Sequence, residues 1–254
     1  MNITDVKLSY LIEYFLDFIP FLSVTLQYTL LAMAIGIVFG LLMARAKLGK
    51  NRILKGFANG YTAVMRAIPS IVLLFLVYYG LPKIFMGAFA INLTRINKVY
   101  FVGITLGLFN IAIMSEIMKS SYLSVDRGQY EAAVSNGFTS SQAIIRIVLP
   151  QAFRISIPNV GNAIITLLKE GTLGYTIGLI DSMGRANQQN ALTFQNHILE
   201  IYISLAALYW ILTILLDRGF KAADSKLSYS SRAKERQTVK AGEISKEWQH
   251  DTEL

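Results

Sequence analysis

The 254-residue chain contains no cysteine. Neither a disulfide framework nor a thiolate metal site or thiol nucleophile can be built from it. Charge is also scarce: Asp, Glu, Lys and Arg make up 16% of residues, against about 25% in soluble domains. No Gly-x-x-x-x-Gly-Lys-Ser/Thr loop is present to cradle phosphates, and no nucleophile elbow or zinc-binding helix signature occurs. The two histidines, His197 and His250, stand far apart in the chain and suggest no metal cluster. Met1 to Phe18 holds Asp5, Glu13 and Asp17 without a basic start, so it does not read as a signal peptide.

What is abundant is apolar. Hydrophobic residues reach 54% and mean hydropathy is +0.46, which points to an integral membrane protein. In that setting the net charge of +8 reads as the Lys and Arg bias of cytoplasmic loops rather than as a nucleic-acid surface. Phe21 to Met43 is uncharged for 23 residues, about 34 Å of helix and enough to span a bilayer core. Arg45, Lys47, Lys50, Arg52 and Lys55 follow with no acid among them. This places their loop in the cytoplasm and the N-terminus outside.

Further spans are expected at about 67–81, 99–118, 155–180 and 198–216. Gly80, Leu81 and Pro82 are expected to end the second, and outer loops fall at about 82–98 and 181–197. The fold expected is therefore all-α and integral to the membrane, with about five transmembrane helices and an internal C-terminus. Residues 1–19 form an amphipathic extracytoplasmic segment, 20–219 a transmembrane domain with a cytoplasmic loop at about 119–154, and 220–254 a cytoplasmic polar tail. The tail is expected to be partly disordered after about Ser228, because apolar residues there are too sparse for a core. Five helices are few for a self-contained transporter, which leaves room for a pore between two chains.

The stretch Glu131 to Pro150 is polar and punctuated between apolar spans. Glu131, Ala132 and Ala133 favour a helix. Gly137 suits the left-handed residue that ends one. Thr139-Ser140-Ser141-Gln142 has the capping-box pattern that starts another, and Pro150 is expected to stop it. A short cytoplasmic helical hairpin results.

Polar groups inside the spans each need a reason, since an ionisable residue at depth costs about 2.5–3.5 kcal/mol on insertion scales. Lys169-Glu170-Gly171-Thr172 interrupts the fourth span and suggests a broken helix lining a cavity. Two readings stand for Lys169 and Glu170: a site in a translocation path, or a charge pair with a neighbouring helix. Glu116 sits three residues before Lys119, within reach of an ion pair. Asn110 either lines the path or bonds across helices. Arg66 reads as an anchor at the cytoplasmic start of the second span. Asp181, Arg185 and Asn187 read as solvated loop residues.

With these residues in view, the chain resembles the permease subunits of bacterial ATP-binding-cassette importers of the polar amino acid type. Glu131-Ala132-Ala133, Gly137 and Ile147-Val148-Leu149-Pro150 match that superfamily's cytoplasmic loop motif. Gly128-Gln129-Tyr130, Gln151-Ala152-Phe153-Arg154, Pro158-Asn159-Val160-Gly161-Asn162, Thr25, Phe75 to Pro82 and Leu167 to Glu170 extend the likeness over most of the chain. Two stretches depart from it. Arg66-Ala67-Ile68-Pro69 stands where the family often has Arg-Gly-Thr-Pro, and Gly171-Thr172-Leu173 where it usually has Thr-Ser-Leu.

The resemblance implies a type I importer permease fold, with Glu131, Ala132, Ala133, Gly137, Ile147, Leu149 and Pro150 forming coupling helices that dock on an ATPase. It also implies two ATPase subunits, a second permease subunit (identical or homologous) and an external solute-binding protein, in a bacterial cell membrane. The chain itself is then no enzyme and binds no cofactor, with ATP and Mg on the partner ATPase and no nucleic acid involved. Lys169, Glu170, Asn110 and Glu116 are the candidate pore residues. Ser182-Met183-Gly184-Arg185-Ala186 after Gly178-Leu179-Ile180-Asp181 most resembles cystine-type members. Other polar amino acids, an opine or a short peptide are the alternative cargoes, and a multi-pass scaffold or sensor is the alternative class.

Overall fold

The computed structural model describes residues 7–251, with side chains as far as Ser225. Every regular element among the described residues is helical. Helix α1, Leu8–Phe18, passes through one 3-10 turn at Ile19–Phe21 into α2, Leu22–Leu48. Helices α3, Arg52–Ala67, and α4, Ser70–Phe75, are separated at Ile68-Pro69; α5 covers Leu81–Phe89 and α6 Lys98–Leu123. Helices α7, Arg127–Ser135, and α8, Ser140–Ala143, form a hairpin that leads into α9, Leu149–Glu170. Helix α10, Ser182–Leu192, and the long α11, Ile198–Asp251, complete the chain.

Among the described residues four stretches are long and apolar enough to cross a membrane: Leu8–Leu48, Ser70–Phe89, Lys98–Leu123 and Ile198–Ser225. A fifth arises if Ser140–Ile177 and Ser182–Leu192, bent by 45° at their junction, count as one broken span. The number agrees with the expectation, but two boundaries do not, for one physical reason. Neither Pro82 nor Pro150 stops its helix.

A proline ring strikes the carbonyl four residues back and removes one hydrogen bond. Before each of these prolines the backbone winds for five residues as a π-helix, at Leu76–Gly80 and Ile144–Val148. Each π turn contains the carbonyl that the ring would meet, on Tyr78 or Arg146, and its wider ladder moves that carbonyl aside. After the second, the Leu149 amide reaches back five residues to Ile144 O, and Gln151 Nε2 donates to Ile147 O at 3.0 Å. The second span therefore continues to Phe89, and α8 runs into α9 without a stop. The polar stretch after Asp181, expected as loop, is helical through Leu192.

The centre of the molecule is the α2–α6 pair. Gly36 and Gly40 on α2 face Asn110 and Met114, while Gly103 and Gly107 on α6 face Leu31 and Ile35. A β-carbon on Gly40 would fall 2.6 Å from Met114 Cβ. Small residues let backbones approach closely, which is how helices gain contact where lipid removes the hydrophobic drive. Leu73, Leu74, Val77, Leu167 and Ile177 close the core from α4, its π turn, α9 and the turn beyond it. Helix α1 lies against α11, with Tyr14 and Phe18 buried among Ile201, Leu205 and Leu208. Large apolar side chains such as Leu30, Leu41, Leu42, Trp210 and Leu215 remain exposed outside the bundle, as lipid-facing residues do. The backbone of α11 continues as helix to Asp251; the side chains of the stretch expected to be disordered lie outside the described residues.

Candidate functional site

The hairpin α7–α8 is built by local chemistry. Asp126 caps α7, its Oδ1 accepting from the Gly128 amide at 2.9 Å. The helix ends at Gly137, whose φ of 87° is left-handed. The Phe138 amide then bonds back to Ala133 O at 3.2 Å, and the Gly137 amide to Val134 O at 3.0 Å. This is the Schellman pattern. Two residues later Thr139 Oγ1 accepts from the Gln142 amide while Gln142 Oε1 accepts from the Thr139 amide, so the capping box is formed. The Arg127–Glu131 pair at 3.0 Å is largely exposed and adds no more than a few tenths of a kcal/mol.

Within the hairpin Ala133 and Ala143 turn inward and are buried. Glu131, Ala132, Gly137, Leu149 and Pro150 are exposed, and Ile147 is half-buried. The residues singled out from the motif therefore divide into an outward set and the inward Ala133. The outward surface also carries apolar side chains that sequence reasoning missed. Val134 is exposed, Ile145 is 63% exposed and Phe153 is 68% exposed. Ile145, Leu149 and Phe153 recur every four residues, and that spacing is the available signal.

A second cluster ties the other helices together at the same end. The Lys47 ammonium is 2% exposed as a residue, yet all three of its donors are used. It donates to Thr62 Oγ1, Ser115 Oγ and Glu116 Oε1, each at 2.6 Å. These partners come from α3 and α6, so one side chain of α2 joins three helices. Lys119 stands 3.7 Å from the other Glu116 oxygen. The expected Glu116–Lys119 pair is thus present, but the shorter contact is to Lys47, which the sequence had grouped with solvent-facing loop cations.

Asn110 is enclosed between α2 and α6. Its Nδ2 donates to Ala32 O at 3.2 Å, and Oδ1 is buried without a partner. Lys169 is exposed and Glu170 half-buried, and neither takes part in an ion pair among the described residues. Lys169 ends an exposed stripe on α9 that also holds Asn159, Asn162 and Thr166. The helix does not unwind at Lys169–Thr172 as expected. It tightens into a 3-10 turn at Gly171–Ile177 and breaks at Gly178, whose φ is 76°. Gly171 serves packing: a β-carbon there would overlap the Tyr28 ring.

Asp181 and Arg185 are not solvated as expected. Asp181 is buried, accepting from Tyr28 Oη at 3.1 Å and from the Gly184 amide at 2.8 Å. Arg185 donates to both Asp17 oxygens, at 2.8 and 3.0 Å, and Gln189 adds a third bond at 2.8 Å. These contacts fix α10 to the end of α1.

Residues 36–229 match the family model described as binding-protein-dependent transport system inner membrane component. The chain is 37% identical over 215 residues to the L-cystine transport system permease protein TcyL of Bacillus subtilis, covering 83% of this chain and 89% of that one. It is 36% identical over 231 residues to the probable amino-acid permease protein YxeN of Bacillus subtilis, covering 89% and 98% respectively. The crystal structure of an amino acid ABC transporter with histidines aligns with a TM-score of 0.75 at 30% identity, over 87% of this chain and 99% of that one.

Proposed function

Given that the chain belongs to the family of binding-protein-dependent transport system inner membrane components, as an amino acid ABC importer permease, we propose that its α7–α8 hairpin receives force from a separate ATPase. One observation carries this reading: a hairpin with complete caps at its turn, together with the helix it leads into, exposes Val134, Ile145, Leu149 and Phe153, which nothing among the described residues covers. An apolar patch rimmed by polar residues marks a contact surface. The hairpin turns sharply at Gly137 and continues into α9 through the π turn, so a push on it travels along one helical body.

In this reading two permease chains stand with two ATPase subunits and an external solute-binding protein. ATP and Mg are held by the ATPase, and this chain performs no hydrolysis. The N-terminus lies outside, while the hairpin and the 220–254 tail lie in the cytoplasm. ATPase closure draws the hairpins together and the bundle swings between outward and inward access. The exposed stripe Asn159, Asn162, Thr166 and Lys169, with Glu170 beside it, lines the path between the two permeases. A polar stripe on a membrane helix is costly against lipid. Cystine is the favoured cargo, supported by the likeness to TcyL; the histidines of the solved relative make other polar amino acids its competitors.

Co-purification tests the docking. Val134→Asp and Ile145→Asp alter exposed side chains only, so the permease is expected to insert normally while losing most of its bound ATPase. ATPase association unchanged in both variants contradicts the reading. Uptake of labelled cystine against a panel of amino acids in proteoliposomes tests the cargo, and ATP-driven uptake of another solute without cystine removes it.

A further inference from the structure

No Asp or Glu occurs between Asp17 and Glu116, so the α2–α3 turn has no acid of its own. Arg45, Lys50, Arg52 and Lys55 are exposed around that turn. None of the four makes a side-chain hydrogen bond or ion pair among the described residues. By contrast Lys47, in the same run, is saturated by three acceptors on α3 and α6.

Apolar side chains flank these cations on both helices. On α2 the outward stripe Val38, Leu41, Leu42 leads to Arg45 and then Leu48. On α3 Ile53 is 82% exposed, with Leu54 and Phe57 also exposed.

The level of this patch follows from two contacts made with α6. Thr62 and Ser115 share the Lys47 ammonium, while Tyr78 packs edge-on against Phe101. The segment from Thr62 to Tyr78 therefore runs antiparallel to α6. Extended back along α3 at 1.5 Å per residue, Phe57 and Lys55 fall about 7–11 Å beyond Ser115. That is the level of Lys119 to Tyr122, where the apolar run of α6 has ended. Exposed cations and exposed large apolar groups thus share the boundary between hydrocarbon and headgroups.

We propose that the α2–α3 turn binds anionic phospholipid of the inner leaflet. The headgroup phosphate is held by Lys50, Arg52 and Lys55, and the acyl chains lie along Ile53, Leu54 and Phe57. Basic groups beside a span attract anionic lipid. The apolar neighbours favour lipid over a water-soluble acidic protein, whose surface would leave Ile53 and Phe57 in water. Lipid binding beside the Lys47 cluster also loads the helices that this cluster joins.

The test uses the whole permease–ATPase complex, reconstituted in vesicles of equal phosphatidylcholine and phosphatidylglycerol, extracted and examined by native mass spectrometry. The wild type is expected to retain phosphatidylglycerol in excess over phosphatidylcholine. K50Q/R52Q/K55Q, three exposed side chains without partners, is expected to lower that enrichment about tenfold or more while keeping its ATPase. Ile53→Ser/Phe57→Ser is expected to reduce retention of both lipids. Equal retention of the two lipids by the wild type overturns the proposal, as does unchanged enrichment in the triple variant. Loss of the ATPase from the triple variant with its lipid intact assigns the turn to a protein partner instead. Lipid retention is read without transport, so a failed uptake assay counts against the importer reading and not against this one.

Discussion

Lys47 and Glu116 differ in what each leaves behind when it is removed. In Lys47→Met an apolar chain of similar length takes the buried position. The Thr62 hydroxyl still donates to Ala58 O and the Ser115 hydroxyl to Ala112 O, and Glu116, 40% exposed, keeps Lys119 near. Replacing a buried ion pair by packed apolar atoms is often neutral. Glu116→Gln instead strands an enclosed ammonium with two neutral hydroxyl oxygens and an amide, and breaking one side of a buried pair costs about 3–5 kcal/mol. The exposure of Glu116 lowers that to about 2–3 kcal/mol. Thermal unfolding of the purified permease should therefore show a clear loss for Glu116→Gln and little for Lys47→Met; the reverse order would show that the ammonium is held by the Thr62 and Ser115 hydroxyls and not by its pairing with Glu116.

Gly171 offers a second test at this scale. Tyr28 fills the space a β-carbon would take. Gly171→Thr is expected to destabilise by about 1–3 kcal/mol, the usual cost of overpacking. Combining it with Tyr28→Leu should restore part of the loss, a coupling that a double-mutant cycle measures. Purely additive losses would mean that the two residues do not compete for space.

Local rules described the hairpin well and the proline helices poorly. The caps at Gly137 and Thr139 involve residues three to five apart, so their chemistry is legible in the sequence. Pro82 and Pro150 read as stops only if an ordinary α-helical hydrogen-bond pattern surrounds them. A π turn removes that condition, and no residue pattern announces it. If the turn at Ile144–Val148 is what admits Pro150, Pro150→Ala releases it to ordinary α-helix. The hairpin would then rotate by up to about 100° relative to α9, the angle of one residue. The variant should keep its helical content by circular dichroism and bind ATPase, but hydrolyse more ATP per solute imported. Unchanged coupling would make the π turn a packing accommodation alone.

At the scale of the whole molecule, the spans, their number and the membrane class follow from apolar runs long enough to cross, or nearly cross, a bilayer core. The arrangement of the spans does not. Gly36, Gly40, Ala44 and Lys47 recur along one face of α2, a pattern that places Lys47 toward α6 once the small residues are recognised as a contact face. Asp181 and Arg185 needed the tertiary fold, since their partners Tyr28 and Asp17 lie more than 150 residues away. Of the pore candidates, Asn110 and Glu116 lie in helix contacts, whereas Lys169 faces outward from this single chain. The proposed path between two permeases would give that outward face an aqueous partner.

The chain's lack of cysteine makes the central claim directly measurable. Val134→Cys supplies the permease with a single thiol on the exposed hairpin. Its rate of maleimide labelling should be high in the isolated permease and fall at least tenfold when the ATPase is bound, with a Cys at the lipid-facing Leu41 position unaffected. Equal labelling of Val134→Cys with and without bound ATPase would contradict docking through the hairpin.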